Sequence, residues 1–343
     1  MIIKSQGNNE KNIFNWIEKE LNPESCSSED FIYNEMESQS GYSLPVIYQP
    51  FDSTKRWHWN DRGSLYDFLY STNGAEKKLL DFGPGDGWPS LIVAPFAKEV
   101  IGVDSSEKRV KICAENAKRM GIQNVSFISY KSGTKLPFED NSFDGIMAAS
   151  SIEQTPDPKK TLEELYRVLK PGGRIRIFYE ALSDYKDGYE RDIWIEGLGE
   201  SSCKLIIFNR DLENEYALQY GLTIAMSEEE LIKNLSTSGE VSFDQVSISF
   251  LERIKCMITK AQVCKTIHPS GKTLVSWLKE IGFKEVLATY NGRSAATKLF
   301  DLYTDDNRPS DLNSVDEAIK KVVKIVTELE APIESDPMIT AIK

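Results

Sequence analysis

The stretch Lys78 to Ser90, KLLDFGPGDGWPS, decides the fold. Leu79 and Leu80 form an apolar run that leads into Asp81, and Gly83, Gly85 and Gly87 then fall at every second position. A buried strand that breaks into a glycine-rich turn and restarts as a helix reads as a nucleotide site. Glycine lets the backbone approach a ligand closely and take φ values that other residues avoid. The dinucleotide fingerprint needs the order G-x-G-x-x-G. Its third glycine would fall at position 88, which is Trp88, so the order here is G-x-G-x-G.

Working outward, Val100-Ile101-Gly102-Val103 reads as a second buried strand that ends at Asp104. Asp104 lies 17 residues beyond Gly87, close to the ~20-residue offset of a carboxylate that binds ribose hydroxyls. A carboxylate there accepts both hydroxyl protons as a preorganised pair. Capping of the next helix is the other reading of Asp104. Further on, KLPFEDNSFDGIMAASSIEQTPDP runs from Lys135 to Pro158. The turn at Glu139, Asp140 and Asn141 leads to a strand from Phe143 to Ala149. A helix from Pro158 to Leu169 follows, with Asp157 as N-cap and Pro158 at its first position. Lys170-Pro171-Gly172-Gly173 stops that helix and turns the chain into a strand from Arg174 to Glu180.

The G-x-G-x-G turn resembles the first motif of the S-adenosylmethionine-dependent methyltransferases with a Rossmann-like fold. The order LPF…NSFD, strand, PDP, LKPGG is similar to that of the subfamily containing the ubiquinone and menaquinone biosynthesis methyltransferases. The likeness is strong over about residues 76–181 and weak elsewhere. It implies an α/β fold with a doubly wound, mostly parallel, seven-stranded sheet, and S-adenosylmethionine as cofactor. Carried onto this sequence, the cofactor contacts are Asp81, Gly83, Pro84, Gly85, Gly87, Asp104, Ser105, Ser132, Gly133, Ala149 and Ser150. The subfamily usually has an acidic residue three positions before the Lys-Leu-Pro-Phe run, where it bonds the adenine amino group. This chain has Ser132 there, whose hydroxyl accepts the same bond without charge assistance.

At 343 residues the chain exceeds the roughly 200 that such a core needs. The formal net charge of −12 argues against non-specific nucleic-acid binding, which requires a basic face. The five cysteines are scattered with no C-x-x-C pair, and with His58 and His268 as the two histidines a zinc site lacks ligands. Free thiols in a reducing compartment and no metal are expected. The first residues lack the apolar run of a secretory signal. No window holds 18 apolar residues, so no membrane span is expected, and the reading is of a soluble, cytoplasmic protein.

Six segments are expected. Residues 1–70 form an N-terminal helical or lid segment, with helices over 10–22 and from Gly63 to Tyr70 and an irregular stretch over 23–60 broken by Pro23, Pro45 and Pro50. Residues 71–181 are the cofactor-binding core, carrying five strands and three helices in alternation. Residues 182–268 are an insertion of mixed signals, with apolar runs Leu205–Phe208 and Val246–Leu251 and a charged helix start at Ser227. Residues 269–291 supply the last core helix and strand six, 292–335 a helical excursion, and 336–343 a final antiparallel strand.

A methyl sulfonium is already activated, so positioning supplies much of the catalysis and a base is needed only if the acceptor loses a proton. Glu153 follows strand four, where the pocket of a parallel sheet opens. It is a candidate base, and a solvent-exposed loop carboxylate is the other reading. Tyr179 and Glu180 end strand five on the same edge. His58, in the aromatic cluster Arg56-Trp57-His58-Trp59-Asn60, either covers the site or packs the N-terminal segment. The leading expectation is in-line methyl transfer from S-adenosylmethionine to a small or medium-sized metabolite. A catalytically silent binding or assembly protein on the same fold is the alternative, and a nicotinamide oxidoreductase is a distant third, disfavoured by Trp88. The acceptor atom and oligomeric state are not legible.

Overall fold

The computed structural model describes residues 6–27, 31, 50–179, 184–186, 188–236, 241–333 and 338–343. Helix α1 (Gln6–Leu21) and the short strand β1 (Glu24–Cys26) come first. Helix α2 (Arg56–Ser71) leads into a series in which strands and helices alternate, as expected, except that residues 130–142 join two strands without a helix. This runs β2 (Lys78–Phe82), α3 (Trp88–Val93), β3 (Glu99–Asp104), α4 (Glu107–Met120), β4 (Val125–Ser129), β5 (Phe143–Ala149), α5 (Pro158–Val168) and β6 (Leu169–Phe178). Then come β7 (Asp184–Lys186), β8 (Tyr189–Gly199), β9 (Ser202–Asp211), β10 (Tyr216–Ile224), α6 (Glu228–Leu235), α7 (Ile248–Ile254) and β11 (Ile258–Ile267). Alternation resumes with α8 (Gly271–Ile281), β12 (Lys284–Thr289), α9 (Gly292–Leu302), α10 (Leu312–Val326) and β13 (Met338–Ile342).

The chain divides into two compact units: described residues up to position 42 with those of 181–268, and 43–180 with 269–343. The six segments expected from sequence are corrected on this point. Residues 1–70 are not one segment, because Ile13 and Ile17 of α1 are buried against Ile193, Leu205 and Tyr220 of the inserted strands. Trp59, Leu65 and Phe68 of α2 instead pack against Leu79 and Val93 of the core. Helix α2 also begins at Arg56, earlier than the expected Gly63, so His58 lies in its first turn. Residues 28–30 and 32–49 of the stretch expected to be irregular lie outside the described residues.

The second unit holds a seven-stranded sheet of order β12-β13-β6-β5-β2-β3-β4. Strands β6, β5, β2, β3 and β4 are parallel, and β13 runs antiparallel to both β12 and β6. Leu80 and Phe82 face Val103, Ile146, Leu165 and Ile175, while Leu79 faces Trp59, Leu65 and Val93. A parallel strand covered by helices on both faces reads as a continuous apolar run, as Leu79 and Leu80 do. Local signals set the helix ends. The Ser106 hydroxyl caps α4 by accepting from Arg109 N, and Gly121 closes it at φ 68°. Asp157 caps α5 with Pro158 in its first turn. Pairing of β6 begins at Leu169, opposite Phe143, ahead of the expected Arg174. A register shift follows there, because Lys170–Gly173 loops out before Arg174 meets Gly145.

One polar knot lies inside this unit. The Arg176 guanidinium on β6 grips Asp67 of α2 through Nε–Oδ1 at 2.7 Å and Nη2–Oδ2 at 2.9 Å, with side-chain exposures of 0% and 1%. Arg176 also donates to Thr289 Oγ1, Thr340 Oγ1 and the Tyr290 carbonyl, and Gly292 N donates to Asp67. One ion pair thereby ties α2, β6, β12, β13 and the start of α9.

The first unit is a six-stranded sheet of order β1-β11-β10-β9-β8-β7. Cys203, Leu205 and Ile207 of β9 share a core with α1, α6 and α7. The mixed signals of the insertion thus resolve mainly into antiparallel strands, with α6 opened by a capping box between Ser227 and Glu230. No helix among the described residues is long and apolar enough to cross a membrane.

Candidate functional site

All the parallel strands of the second unit point their carboxyl ends to one edge, where ligands of open α/β sheets bind. The chain leaves β2 there through Gly83, Gly85 and Gly87, at φ values of 72°, 62° and 96°. These lie in the left-handed region that side chains with a Cβ avoid. At Gly83 space forbids a side chain as well, since a Cβ would stand 2.5 Å from the Cβ of Ser151. The loop is fixed from several sides. Gly83 N donates to the Val103 carbonyl, Gly87 N to that of Pro84, and Cys113 and Asn116 of α4 bond the carbonyls of Gly85 and Asp86.

Asp104 ends β3 beside this loop, 6% exposed. Its Oδ2 accepts from Gly85 N at 3.3 Å and its Oδ1 from Ser106 N at 2.9 Å. Ser106, not Asp104, supplies the side-chain cap of α4. Each carboxylate oxygen can accept two hydrogen bonds, so each retains capacity for a ligand hydroxyl. Burial pushes the Asp104 carboxyl above its ordinary range, opposed by the backbone bonds and by Arg109. Ser105 is half-buried next to it.

Asp81 lies below the loop, fully buried, and accepts a 2.6 Å bond from Ser90 Oγ. Burial raises its carboxyl to about 7. An unfolded aspartate titrates near ~3.9, so between these values the folded chain holds a proton that the unfolded chain does not. Stability therefore falls as pH rises through that window. In Asp81→Asn the penalty is absent. Its stability should match the parent's near pH 4 and exceed it above pH 7 by on the order of 2–4 kcal/mol. Thermal melts across pH 4–8 measure this, and a constant difference would refute it.

On the other side of Asp104, Ser132 is 5% exposed, and its Oγ has no hydrogen-bond partner among the described residues. Gly133, Tyr130, Phe82, Thr134 and Leu136 line a cleft of about 230 Å³ here, with the Phe82 and Tyr130 rings 6.0 Å apart. At the end of β5, Ala149 leads to Ser150 in a left-handed conformation, φ 48°, the kind of strain that collects at ligand sites. Ser151 Oγ donates to the Phe82 carbonyl at 2.7 Å, locking the exit of β5 to that of β2. Glu153 follows in a single 3-10 turn, buried at 7% exposure, so the solvated-loop reading does not hold.

The other two candidates are engaged in local structure. His58 Nδ1 accepts from Asp52 N at 2.8 Å, the ring packs by Phe51 and Trp57, and burial depresses its pKa. The Tyr179 hydroxyl donates to the Pro269 carbonyl at 2.5 Å. Glu180 lies outside the described residues.

Residues 80–177 match the family described as a methyltransferase domain. Over these residues the chain is similar to that family. An uncharacterized methyltransferase of Bacillus subtilis (strain 168), YcgJ, is 38% identical over 105 residues, 30% of this chain and 40% of its own length. The demethylmenaquinone methyltransferase of Clavibacter sepedonicus is 32% identical over 138 residues, 39% of this chain and 54% of its own. The chain thus spans about half or less of the length of these curated relatives. Among solved structures, that of YcgJ aligns at 17% identity and a TM-score of 0.40, covering 82% of this chain and 97% of the other.

The matched span, residues 80–177, holds the glycine loop, Asp104, Ser132, Gly133, Ala149, Ser150 and Glu153. Two polar residues beyond it were not singled out from sequence. Asp61 of α2 is half-buried, and burial pushes its carboxyl up to about 6, opposed chiefly by the charge of Arg293 on α9. In sequence, Asp61 is one acid just past an aromatic cluster, and nothing links it to position 293.

Proposed function

We propose that this chain is an S-adenosylmethionine-dependent methyltransferase whose acceptor is a small or medium-sized metabolite. The observation that carries this reading is the Asp104 carboxylate, held by the backbone N–H groups of Gly85 and Ser106 against a loop of three left-handed glycines. The residues present fit the cofactor. Asp104 would accept the two ribose hydroxyls, Ser132 Oγ is a buried polar atom needing a partner, and the adenine would enter beside Gly133. Asp81, Pro84 and the loop glycines would frame the amino-acid end, and Ala149 and Ser150 the exit of β5. When bound, S-adenosylmethionine supplies a methyl group already activated on sulfur. The chain's own task is to align the acceptor atom with that group and exclude water, which supplies up to roughly 7–11 kcal/mol in favourable cases. Glu153, in the 3-10 turn just beyond the end of β5, would take a proton if the acceptor must lose one.

Calorimetric titration with S-adenosylmethionine and S-adenosylhomocysteine tests this. The unmodified chain should bind both, and Asp104→Ala should weaken binding by about 100-fold while remaining folded, since two charge-assisted bonds are lost. No binding by the unmodified chain would refute the proposal.

A further inference from the structure

The five cysteines are all thiols, and two of them share one row of the first unit's sheet. Strand β1 pairs in parallel with β11, and Cys26 stands in register with Cys264. Neighbouring strands lie roughly 4.8 Å apart, and partners in register project to the same face. That spacing falls within the ~4.4–6.8 Å Cα separation that a disulfide spans. Both side chains reach one cluster: Cys264 is fully buried with Phe31, Ile206 and Phe208, and Cys26 packs against it half-buried. The Cys26 thiol donates to the Val263 carbonyl at 3.6 Å, so its sulfur already lies against β11 beside its partner. The remaining thiols are placed elsewhere. Cys203 faces the opposite core, Cys113 bonds the Gly85 carbonyl in the second unit, and Cys256 is exposed in a 3-10 turn outside the sheet.

A cation enters the same cluster. Lys204 of β9, 1% exposed, lies across Gly221 of β10, where a Cβ would stand 2.2 Å from its Cε. Its ammonium rests 4.4 Å from the centre of the Phe31 ring. A neighbouring lysine favours the thiolate, which is the nucleophilic form of cysteine. Burial pushes the Cys264 thiol up to about 11, so the half-buried Cys26 is the one that an oxidant in solution meets first.

We propose that Cys26 and Cys264 are a reversible redox pair, closed to a disulfide by a low-molecular-weight disulfide such as that of glutathione. The Cys26 thiolate attacks one sulfur of the oxidant, whose S–S bond breaks and releases one small thiol. Cys264 then gives up its proton and attacks the Cys26 sulfur, expelling the second small thiol. The chain loses two protons and two electrons, and the oxidant gains both as two thiols. Strand β1 is a three-residue strand at the edge of the sheet, and it follows α1, whose Ile13 and Ile17 fill the core on the opposite face. In the reduced chain, pairing over Glu24, Ser25 and Cys26 joins β1 to β11. The bridge adds a covalent bond at the last of these, so the redox state sets how firmly the segment from α1 to β1 is held. The pair lies in the first unit and does not depend on the methyltransferase reading above.

The unmodified folded chain, treated with glutathione disulfide and digested with trypsin without reduction, gives the test. Trypsin places Cys26 in the peptide 20–55, Cys256 in 256–260 and Cys264 in 261–265, so each possible bridge has its own mass. The expected product is 20–55 joined to 261–265 with the loss of two hydrogens, and dithiothreitol should return both thiols. The same treatment in urea should give about tenfold less of it, because nothing then holds the two sulfurs in register. Hydrogen exchange of the β1 amides should slow by about tenfold in the bridged chain and recover on reduction. Cys26→Ser and Cys264→Ala should each abolish the joined peptide. Glutathione retained on Cys26 with Cys264 still a thiol would overturn the proposal. So would a bridge to Cys256, no reaction at either cysteine, or β1 exchange unchanged by the bridge.

Discussion

Asp67→Ala will cost the second unit about 3–5 kcal/mol of stability, the loss expected when one partner of a buried ion pair is removed. The Arg176 guanidinium is fully buried, and Asp67 is its counter-charge as well as its bidentate acceptor. Without the carboxylate, a cation remains in a site lined by Thr289, Thr340 and the Tyr290 carbonyl. These groups accept hydrogen bonds and carry no negative charge. Gly292 N loses its acceptor at the same time, so the start of α9 loosens. The double variant Asp67→Ala with Arg176→Met should recover much of the loss, because no uncompensated charge stays behind. Denaturant melts, with hydrogen exchange of the β6 amides as a local probe, measure both. A loss under 1 kcal/mol for the single variant would show that the pair does not carry the charge balance of this core.

Gly83→Ala should damage the site more than Gly85→Ala, although both glycines are left-handed. At either position a Cβ costs roughly 1–2 kcal/mol for the backbone conformation alone. The neighbours then differ. At Gly83 the new methyl would meet the Ser151 Cβ at 2.5 Å, an atom fixed to its backbone at the exit of β5. At Gly85 it would meet Arg109 Nη1 at 3.2 Å, the far end of a flexible side chain. Relief at Gly83 requires β2 and β5 to part, which breaks the bond from Ser151 Oγ to the Phe82 carbonyl. The expected result is a loss of about 100-fold in S-adenosylhomocysteine affinity for Gly83→Ala, and about tenfold or less for Gly85→Ala. Calorimetry on the two variants decides it, and equal losses would contradict the steric account.

The part of the fold that sequence reveals is the part built from local signals. The run through Leu79 and Leu80 and the cap at Asp157 each act within a few residues, and each appears where its chemistry requires, whereas the cap of α4 falls to Ser106 and not to Asp104. The inserted sheet was harder to read for a physical reason. In β9 the alternation Cys203, Leu205, Ile207 faces one core, but Ile206 and Phe208 on the other face are buried too, as is Lys204. Burial on both faces erases the period of two that marks a half-exposed strand. The site divides the same way. Asp104 was legible because a carboxylate at a strand end after a glycine turn has a fixed place, whereas the pairing of Arg176 with Asp67, 109 residues apart in sequence, is brought about only by the tertiary fold. The engagement of His58 by Asp52 N and of Tyr179 by Pro269 is likewise invisible in composition or spacing.

The position of β13 has a consequence for how this chain comes into being. Synthesis runs from the amino end, so β2 to β6 can pair while the ribosome is still making the later residues. Strand β12 joins the sheet only through β13, which lies between it and β6. One side of β6 therefore waits as an open edge until residues 338–342 emerge, and the long loop that must close makes this step late. Thr340, one of the groups that surround Arg176, is among the residues still to come. Until then the nascent sheet carries an unpaired strand edge and a partly open guanidinium pocket, and that interval is when the growing chain is most exposed to wrong partners.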